Sequence, residues 1–302
     1  MKDAQLQAKS DALLACLRGM DSVIVALSGG VDSSLVAYAA HRALGERALA
    51  VTSGSESLKR EDLDLTRKLT AAWGMNHLVI ETPELDNPDY ARNPIDRCYY
   101  CKTTLYDGLV RVARQRGIAT IANGANLDDM GDHRPGMKAG QEFKVRSPLL
   151  ECGFRKEDIR ALSAAYGLPN AEKPQAACLA SRVPYGTPVT RELLARIAQA
   201  ERILGEMGFS QYRVRHHGDI ARLELDPHEF ALAIDRHAEL VKAIKACGYA
   251  FVALDLAGFR SGSLNHAVIE TGAQRRTPGN GSTPVETIQE ALPALQQSSR
   301  KP

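Results

Sequence analysis

Residues 23–34 read VIVALSGGVDSS. Val23 to Leu27 are β-branched or small apolar residues, the make-up of a strand buried on both faces of a parallel sheet. Ser28, Gly29 and Gly30 make a turn, and the Ala- and Leu-rich stretch behind them predicts a helix from Ser34 to Leu44. Strand, glycine turn and helix start, in that order, build an anion cradle. Paired glycines let backbone N–H groups turn toward a ligand. The helix N-terminus adds partial positive charge. Ser28, Ser33 and Ser34 supply hydroxyl donors, and Asp32 can carry Mg²⁺ or orient the loop. The string has neither the lysine of a Walker loop nor the spacing of a dinucleotide fingerprint. The plain alternative is an ordinary strand-to-helix turn.

Working outward, the apolar runs 47–52, 77–81 and 118–122 predict three further strands, with helices at about 59–73 and from 97 to about 115. A β-α-β-α-β series argues for an α/β, doubly wound parallel sheet. Ligands then sit at the carboxyl ends of the strands. The glycine loop and Ser53 fall there, and so does NGANLDDMGDHRPG, residues 123–136, with Gly124, Asp128, Asp129, Asp132 and Arg134. Clustered carboxylates in that position suit Mg²⁺ or polar groups of a nucleotide; away from a nucleotide site they would read as a solvated acidic loop. VRSPLL, 145–150, is a fifth apolar run, followed by an amphipathic helix closed by Gly167.

The N-terminal twenty residues predict a helix without the apolar core of a signal peptide. Residues 169–190 carry four prolines and no period, so they read as a long structured loop or linker. Thr190 is placed as an N-cap for the next helix. Residues 211–226 alternate around His217-Gly218-Asp219, a hairpin; 227–247 predicts one helix and 249–256 a strand. The chain therefore divides into a nucleotide-binding domain at 1–170, a loop at 171–189 carrying Cys178, a second, smaller α/β domain at 190–266, and a tail at 267–302 whose Gly, Pro, Ser and Gln content predicts disorder.

Composition bounds the function. The chain has 302 residues, 44% hydrophobic and 25% charged, with net charge +2. It is long enough for about two domains with self-sufficient cores. No apolar run reaches the length of a bilayer span, so the expectation is a cytoplasmic enzyme with no membrane partner. Six cysteines, at 16, 98, 101, 152, 178 and 247, are not expected to form a disulfide framework in such a chain. Cys16 and Cys247 read as structural and Cys152 is undecided. Cys98 and Cys101 are spaced i, i+3, which leaves a redox pair, half a zinc site or two iron–sulfur ligands open. Cys178 lies among small residues, Ala177 before it and Ala180 and Ser181 after it, and Arg182 can favour its thiolate.

ALSGGVDSS carries S-G-G-x-D-S and resembles the PP-loop of the ATP pyrophosphatases, which implies a fold of the adenine nucleotide alpha hydrolase type. Together with RCYYCK, NLDDMGDHRPG, KPQAACLASRVPYG and GFRSGS, in that order, it resembles the LarE family of ATP-dependent sulfur insertases over nearly the whole chain up to about 266. The resemblance implies ATP and Mg²⁺ at Ser28, Gly29, Gly30, Asp32, Ser33, Ser34, Ser53, Gly124 and Asp129. It implies adenylation of a carboxylate of pyridinium-3,5-biscarboxylate mononucleotide, then conversion to a thiocarboxylate, a step toward the nickel-pincer nucleotide of lactate racemase. Cys178 matches the catalytic cysteine. In single-cysteine members that residue is a sacrificial donor left as dehydroalanine. This chain also has Cys98 and Cys101, and three cysteines can hold a [4Fe–4S] cluster with one iron open; we favour that reading, because C-x-x-C would otherwise be an unexplained pair. Arg213 and Arg215, two residues apart on a strand, match anion-binding arginines and are expected at the substrate phosphate; the plain alternative is an exposed basic face. Glu201 and Glu224 match metal-binding carboxylates. The family further implies a homo-oligomer, a hexamer.

Three rival readings have distinct signatures. A tRNA-thiolating enzyme shares the loop and the cluster but needs an RNA surface, for which a +2 charge and 5% aromatic residues offer little. An amidating ligase needs no cysteine triad. A non-enzymatic nucleotide sensor would release no pyrophosphate.

Overall fold

The computed structural model describes residues 2–130, 135–174 and 177–260. The predicted tail, together with Asp132 and Arg134, lies outside the described residues. The elements run, in order, α1 Lys2–Arg18, β1 Val23–Ala26, α2 Val31–Leu44, β2 Ala48–Ser53, α3 Arg60–Trp73, β3 Asn76–Ile80, α4 Pro88–Ala91, α5 Arg97–Arg116 and β4 Thr120–Ala122. Then follow α6 Pro135–Glu142, α7 Pro148–Glu151, α8 Lys156–Ala165, α9 Arg191–Glu206, β5 Tyr212–His217, β6 Ile220–Leu225, α10 Phe230–Asp235, α11 His237–Ala246 and β7 Phe251–Leu254.

The first four strands form a parallel sheet in the order β3-β2-β1-β4. β1 is central and its Val23, Ile24 and Val25 are buried, which is what a run of β-branched residues with no polar alternation requires. One apolar layer joins Val23, Val25 and Ala50 to α1, α2 and α8 through Leu13, Leu17, Leu35 and Ile159. The other joins Ile24, Leu49, Val51 and Ile121 to α5 and α6 through Tyr106, Leu109 and Ala139. The sheet is therefore covered on both faces. The chain order reverses between β1 and β4, so the crevice between their carboxyl ends is the switch point where ligands bind in such sheets.

β5, β6 and β7 form a second sheet, β5 and β6 antiparallel and β6 and β7 parallel. Its core, with Val214, Leu223, Leu225, Leu204 and Ile244, is separate. Residues 177–189 are not an open linker. Leu179, Ala180, Val183 and Val189 are buried with Tyr90, Leu194 and Ile197 in a cluster of their own.

Three expectations need correction. α2 begins at Val31, three residues before the predicted start at Ser34. The run 145–150 makes only a single bridge, Arg146 to Ala122; Pro148 cannot donate to a ladder and instead opens the short α7. The predicted helix 227–247 is broken at Arg236, which leaves helical geometry while its guanidinium donates to Met207 O and Glu239. The Thr190 cap forms as expected, its hydroxyl accepting from Leu193 N at 3.2 Å.

Candidate functional site

The glycine loop leaves β1 through Leu27, and Gly29 takes φ +78°. A Cβ at Gly29 would stand 3.1 Å from Asp62 O, so both conformation and space call for glycine. Ser33 ties the loop shut: its hydroxyl accepts from Ser28 N at 3.2 Å and donates to Gly30 O at 3.2 Å. Gly30 caps α2 with no side-chain hydrogen bond, so the first-turn N–H groups of the helix face the cradle. The exit of β4 passes over that turn. A Cβ at Gly124 would fall 2.7 Å from Ser33 N, so only glycine fits. Replacing Gly124 with Ala should displace the α2 N-terminus. The expected result is at least a tenfold loss of ATP–pyrophosphate exchange, on the order of 2 kcal/mol of misplaced donors, measured with labelled pyrophosphate; undiminished exchange would show that the approach is not needed.

Two lysines absent from the sequence reading converge on this loop. Lys156 Nζ grips both oxygens of Asp32, at 2.5 and 2.6 Å. Lys173 Nζ donates to Gly29 O at 3.2 Å and pairs with Asp62 at 2.5 Å. Asn170 Nδ2 donates to Gly29 O and to the buried Ser34 hydroxyl, while its Oδ1 is a buried acceptor with no partner among the described residues. Lys156 carried a faint signal: it opens α8, where helix dipoles favour acids rather than bases. Lys173 heads the motif KPQAACLASRVPYG without a role of its own there, and Asn170 carried no signal.

Within the fold the acidic loop serves as a cap and an anchor. Asp129 accepts from Asn126 N in a capping box. Asp128 pairs with Arg155 and accepts from Lys156 N, fixing the start of α8; the backbone and Arg155 hold its carboxyl below the usual range. Asn126, buried, also reaches Asp32 at 3.5 Å. Ser53, at the end of β2, shares a hydrogen bond with Thr82, and Thr82 donates to the buried Glu84 at 3.0 Å.

The cysteine site adjoins the same edge. Leu179 N donates to Ser57 O at 2.8 Å, and Ser57 Oγ meets Tyr90 OH at 2.6 Å, so the loop after Cys178 is laid against the chain leaving β2. Asn93 Nδ2 donates to Pro184 O and Thr187 O, and Arg97 donates to Ala180 O, which clamps the loop to the start of α5. Cys98 and Cys101 lie in the first turn of α5. Cys101 and Cys178 pack on one apolar cluster. Burial first, then the Glu84 carboxylate and the Cys178 sulfur, push the Cys101 thiol up to about 12. Burial opposes the charge on Arg97, yet the Cys178 and Cys98 sulfurs beside it hold the guanidinium above its ordinary value. Lys102 is likewise held up, against burial, by Tyr106 and the same sulfurs. The sulfurs of Cys98, Cys101 and Cys178 thus lie within electrostatic reach of one another and of Arg97 and Lys102. Among the described residues no three His, Cys, Asp or Glu side chains stand at single-ion spacing. Thiolates on different irons of one cluster stand farther apart, so that finding concerns a mononuclear site.

Arg213 and Arg215 are not an exposed basic face: both are buried, beside Arg182. Arg215 pairs with Glu224 at 2.9 Å and donates to Ser181 O at 2.6 Å. Burial, with Arg182 and Arg215 nearby, pulls the Arg213 guanidinium down to about 10. Glu201 pairs with Arg182 at 2.8 Å and Lys59 at 2.5 Å, and Glu224 also pairs with Arg222. Arg182 in turn donates to Cys178 O at 3.1 Å. A chain of ion pairs therefore runs from the second sheet to the backbone of the cysteine loop. A cavity of about 350 Å³ opens beside it, lined by Lys59, Leu179, Glu201 and Tyr212 among others.

Comparison with known proteins decides between the relatives of this fold. Residues 14–103 match the NAD synthase family model, which spans the glycine loop. The chain is 36% identical over 275 residues, 91% of its length, to the pyridinium-3,5-bisthiocarboxylic acid mononucleotide synthase of Lactiplantibacillus plantarum, covering 99% of that protein. The chain belongs to the LarE family. An uncharacterised protein of Synechocystis sp. is 40% identical over 266 residues, 87% of this chain and 99% of that one. One component of the glutamine-hydrolysing GMP synthase of Methanococcus maripaludis is 27% identical over 201 residues, but the chain covers only 57% of it. Similarity to both full-length relatives extends past the sheet that LarE proteins share with the synthases, into the segment carrying Cys178 and the second sheet.

Proposed function

We propose that the protein is an ATP-dependent sulfurtransferase that adenylates a carboxylate of pyridinium-3,5-biscarboxylate mononucleotide and converts it to a thiocarboxylate. One observation carries the reading: the loop bearing Cys178 also bears Asn170 and Lys173, which hold Gly29. Nucleotide cradle and sulfur site are thus fastened to each other, as a reaction that activates and then thiolates one carboxylate requires. A carboxylate is a poor electrophile, and AMP gives it a leaving group. The first-turn N–H groups of α2, with Lys156 and Lys173, oppose the charge of the departing pyrophosphate. Asp32, once released by Lys156, would hold Mg²⁺.

The chemistry of three neighbouring thiols with two cations beside them supports a [4Fe–4S] cluster. Cys98, Cys101 and Cys178 would hold it, Arg97 and Lys102 would offset its negative charge, and metal binding would supply the drive to deprotonate the buried Cys101. When bound, such a cluster offers an open iron for an extra sulfide. Arg213, buried with other arginines, is suited to a substrate phosphate, which would restore its ordinary value. A cation on Glu201 or Glu224 would have to displace Lys59 or Arg222, and the metal-ligand reading stands in that form. A cytoplasmic homohexamer is part of the same proposal. Among the described residues no helix is long and apolar enough to cross a membrane.

The test is product stoichiometry. Purified anaerobically and given ATP, Mg²⁺, sulfide and the biscarboxylate mononucleotide, the protein should release one AMP and one pyrophosphate per thiocarboxylate formed. With ammonia in place of sulfide, no amide should appear; an amide would favour the ligase reading instead.

A further inference from the structure

Cys16 and Cys152 belong to neither site described above. They come from helices that pack on each other, Cys16 from α1 and Cys152 from the end of α7. Both thiols are free, half-buried and set against the same apolar layer. The Cys16 thiol donates to Glu151 Oε2 at 3.5 Å and lies 3.9 Å from Arg146 Nη2. Arg146 holds that carboxylate in a two-point pair, at 2.9 and 2.5 Å. Cys152 is the next residue after Glu151, and its sulfur lies within electrostatic reach of the Cys16 sulfur. The two thiols thus sit on packed helices beside one carboxylate, which Arg146 holds at two points. Nothing in the sequence pairs positions so far apart.

We propose that Cys16 and Cys152 are a dithiol that closes into a disulfide by exchange with a small-molecule disulfide. The thiolate of one cysteine attacks a sulfur of the oxidant, the oxidant's S–S bond breaks, and the released thiolate takes up a proton. The second protein thiolate then attacks the mixed disulfide and expels the other small thiol. Two protein thiols lose two hydrogens and two electrons, and the oxidant gains both. Burial, then Cys152 and Glu151, push the Cys16 thiol up to about 12, and burial raises Cys152 as well. With both thiols raised, the exchange at neutral pH takes minutes to hours rather than seconds. Closure would staple the N-terminal helix to the turn from which Phe154 O accepts Leu127 N and Lys156 reaches Asp32. The pair is independent of the sulfur-transfer reading.

The test uses the reduced, full-length protein incubated with oxidised glutathione, alkylated, and digested with trypsin without reduction. Cleavage at Lys9, Arg18, Arg146 and Arg155 yields peptides 10–18 and 147–155. The expected result is one species joining these peptides, two hydrogens lighter than their sum, and a higher Tm that reducing agent reverses. In Cys16→Ser the partner thiol is gone, so no joined species should form and the reversible rise in Tm should vanish. Wild-type peptides that stay separate, alkylated or each bearing glutathione, would overturn the proposal, as would an undiminished reversible rise in Tm in the variant.

Discussion

Cys178→Ala should abolish thiocarboxylate formation, by at least about a thousandfold, while ATP–pyrophosphate exchange with the biscarboxylate substrate persists near the wild-type rate. The split follows from the geometry. Exchange needs the cradle, which is held by Asn170 and Lys173 and not by the Cys178 side chain. In the proposed reaction sulfur transfer needs all three thiols together, so Cys98 and Cys101 do not make up for the loss of Cys178. The fold should survive, because the loop is clamped by Asn93, Arg97 and Arg182 through backbone carbonyls that the substitution leaves in place. Exchange and thiocarboxylate assayed on one preparation check it. Loss of both activities in a folded variant would mean that Cys178 supports the nucleotide site rather than sulfur.

The complementary expectation concerns Asp32. Asp32→Ala removes the carboxylate that Lys156 grips and that we propose to hold Mg²⁺. Exchange should fall by on the order of a hundred- to a thousandfold, the scale of losing a key electrostatic contact to the transition state. Sulfur transfer should fall equally, since no adenylate forms. Asp32 and Lys156 are each about a quarter to a third exposed, so their mutual pairing is worth about 1 kcal/mol or less to stability. Unfolding should therefore shift little. Retention of exchange in Asp32→Ala, or collapse of the fold, would each contradict the assignment.

What the sequence made legible was local. The run from Val23 to Ser34 announced strand, turn and helix start because each signal lies within a few residues, and the helix merely began earlier than its apolar pattern. The capping Thr190 was readable for the same reason. The lysines were not, since Lys156 and Lys173 reach the glycine loop from more than a hundred residues away. Arg213 and Arg215 illustrate a subtler failure. Their alternation on a strand was plain, but whether that face met solvent or other charged groups depends on the packing of residues 177–189, a stretch without periodicity. The break at Arg236 was hidden because its partner, Met207 O, lies on another element.

The claim at the centre of the account is that Cys98, Cys101 and Cys178 act as one sulfur-delivering site. Iron, sulfide and the intact mass of anaerobically purified protein, measured before and after a single turnover, test it together. The account predicts about four irons per chain, their loss when any one of the three cysteines becomes Ala, and an unchanged Cys178 after turnover. Dehydroalanine at position 178 after one turnover, with full activity in iron-free protein and in Cys98→Ala and Cys101→Ala, would contradict it.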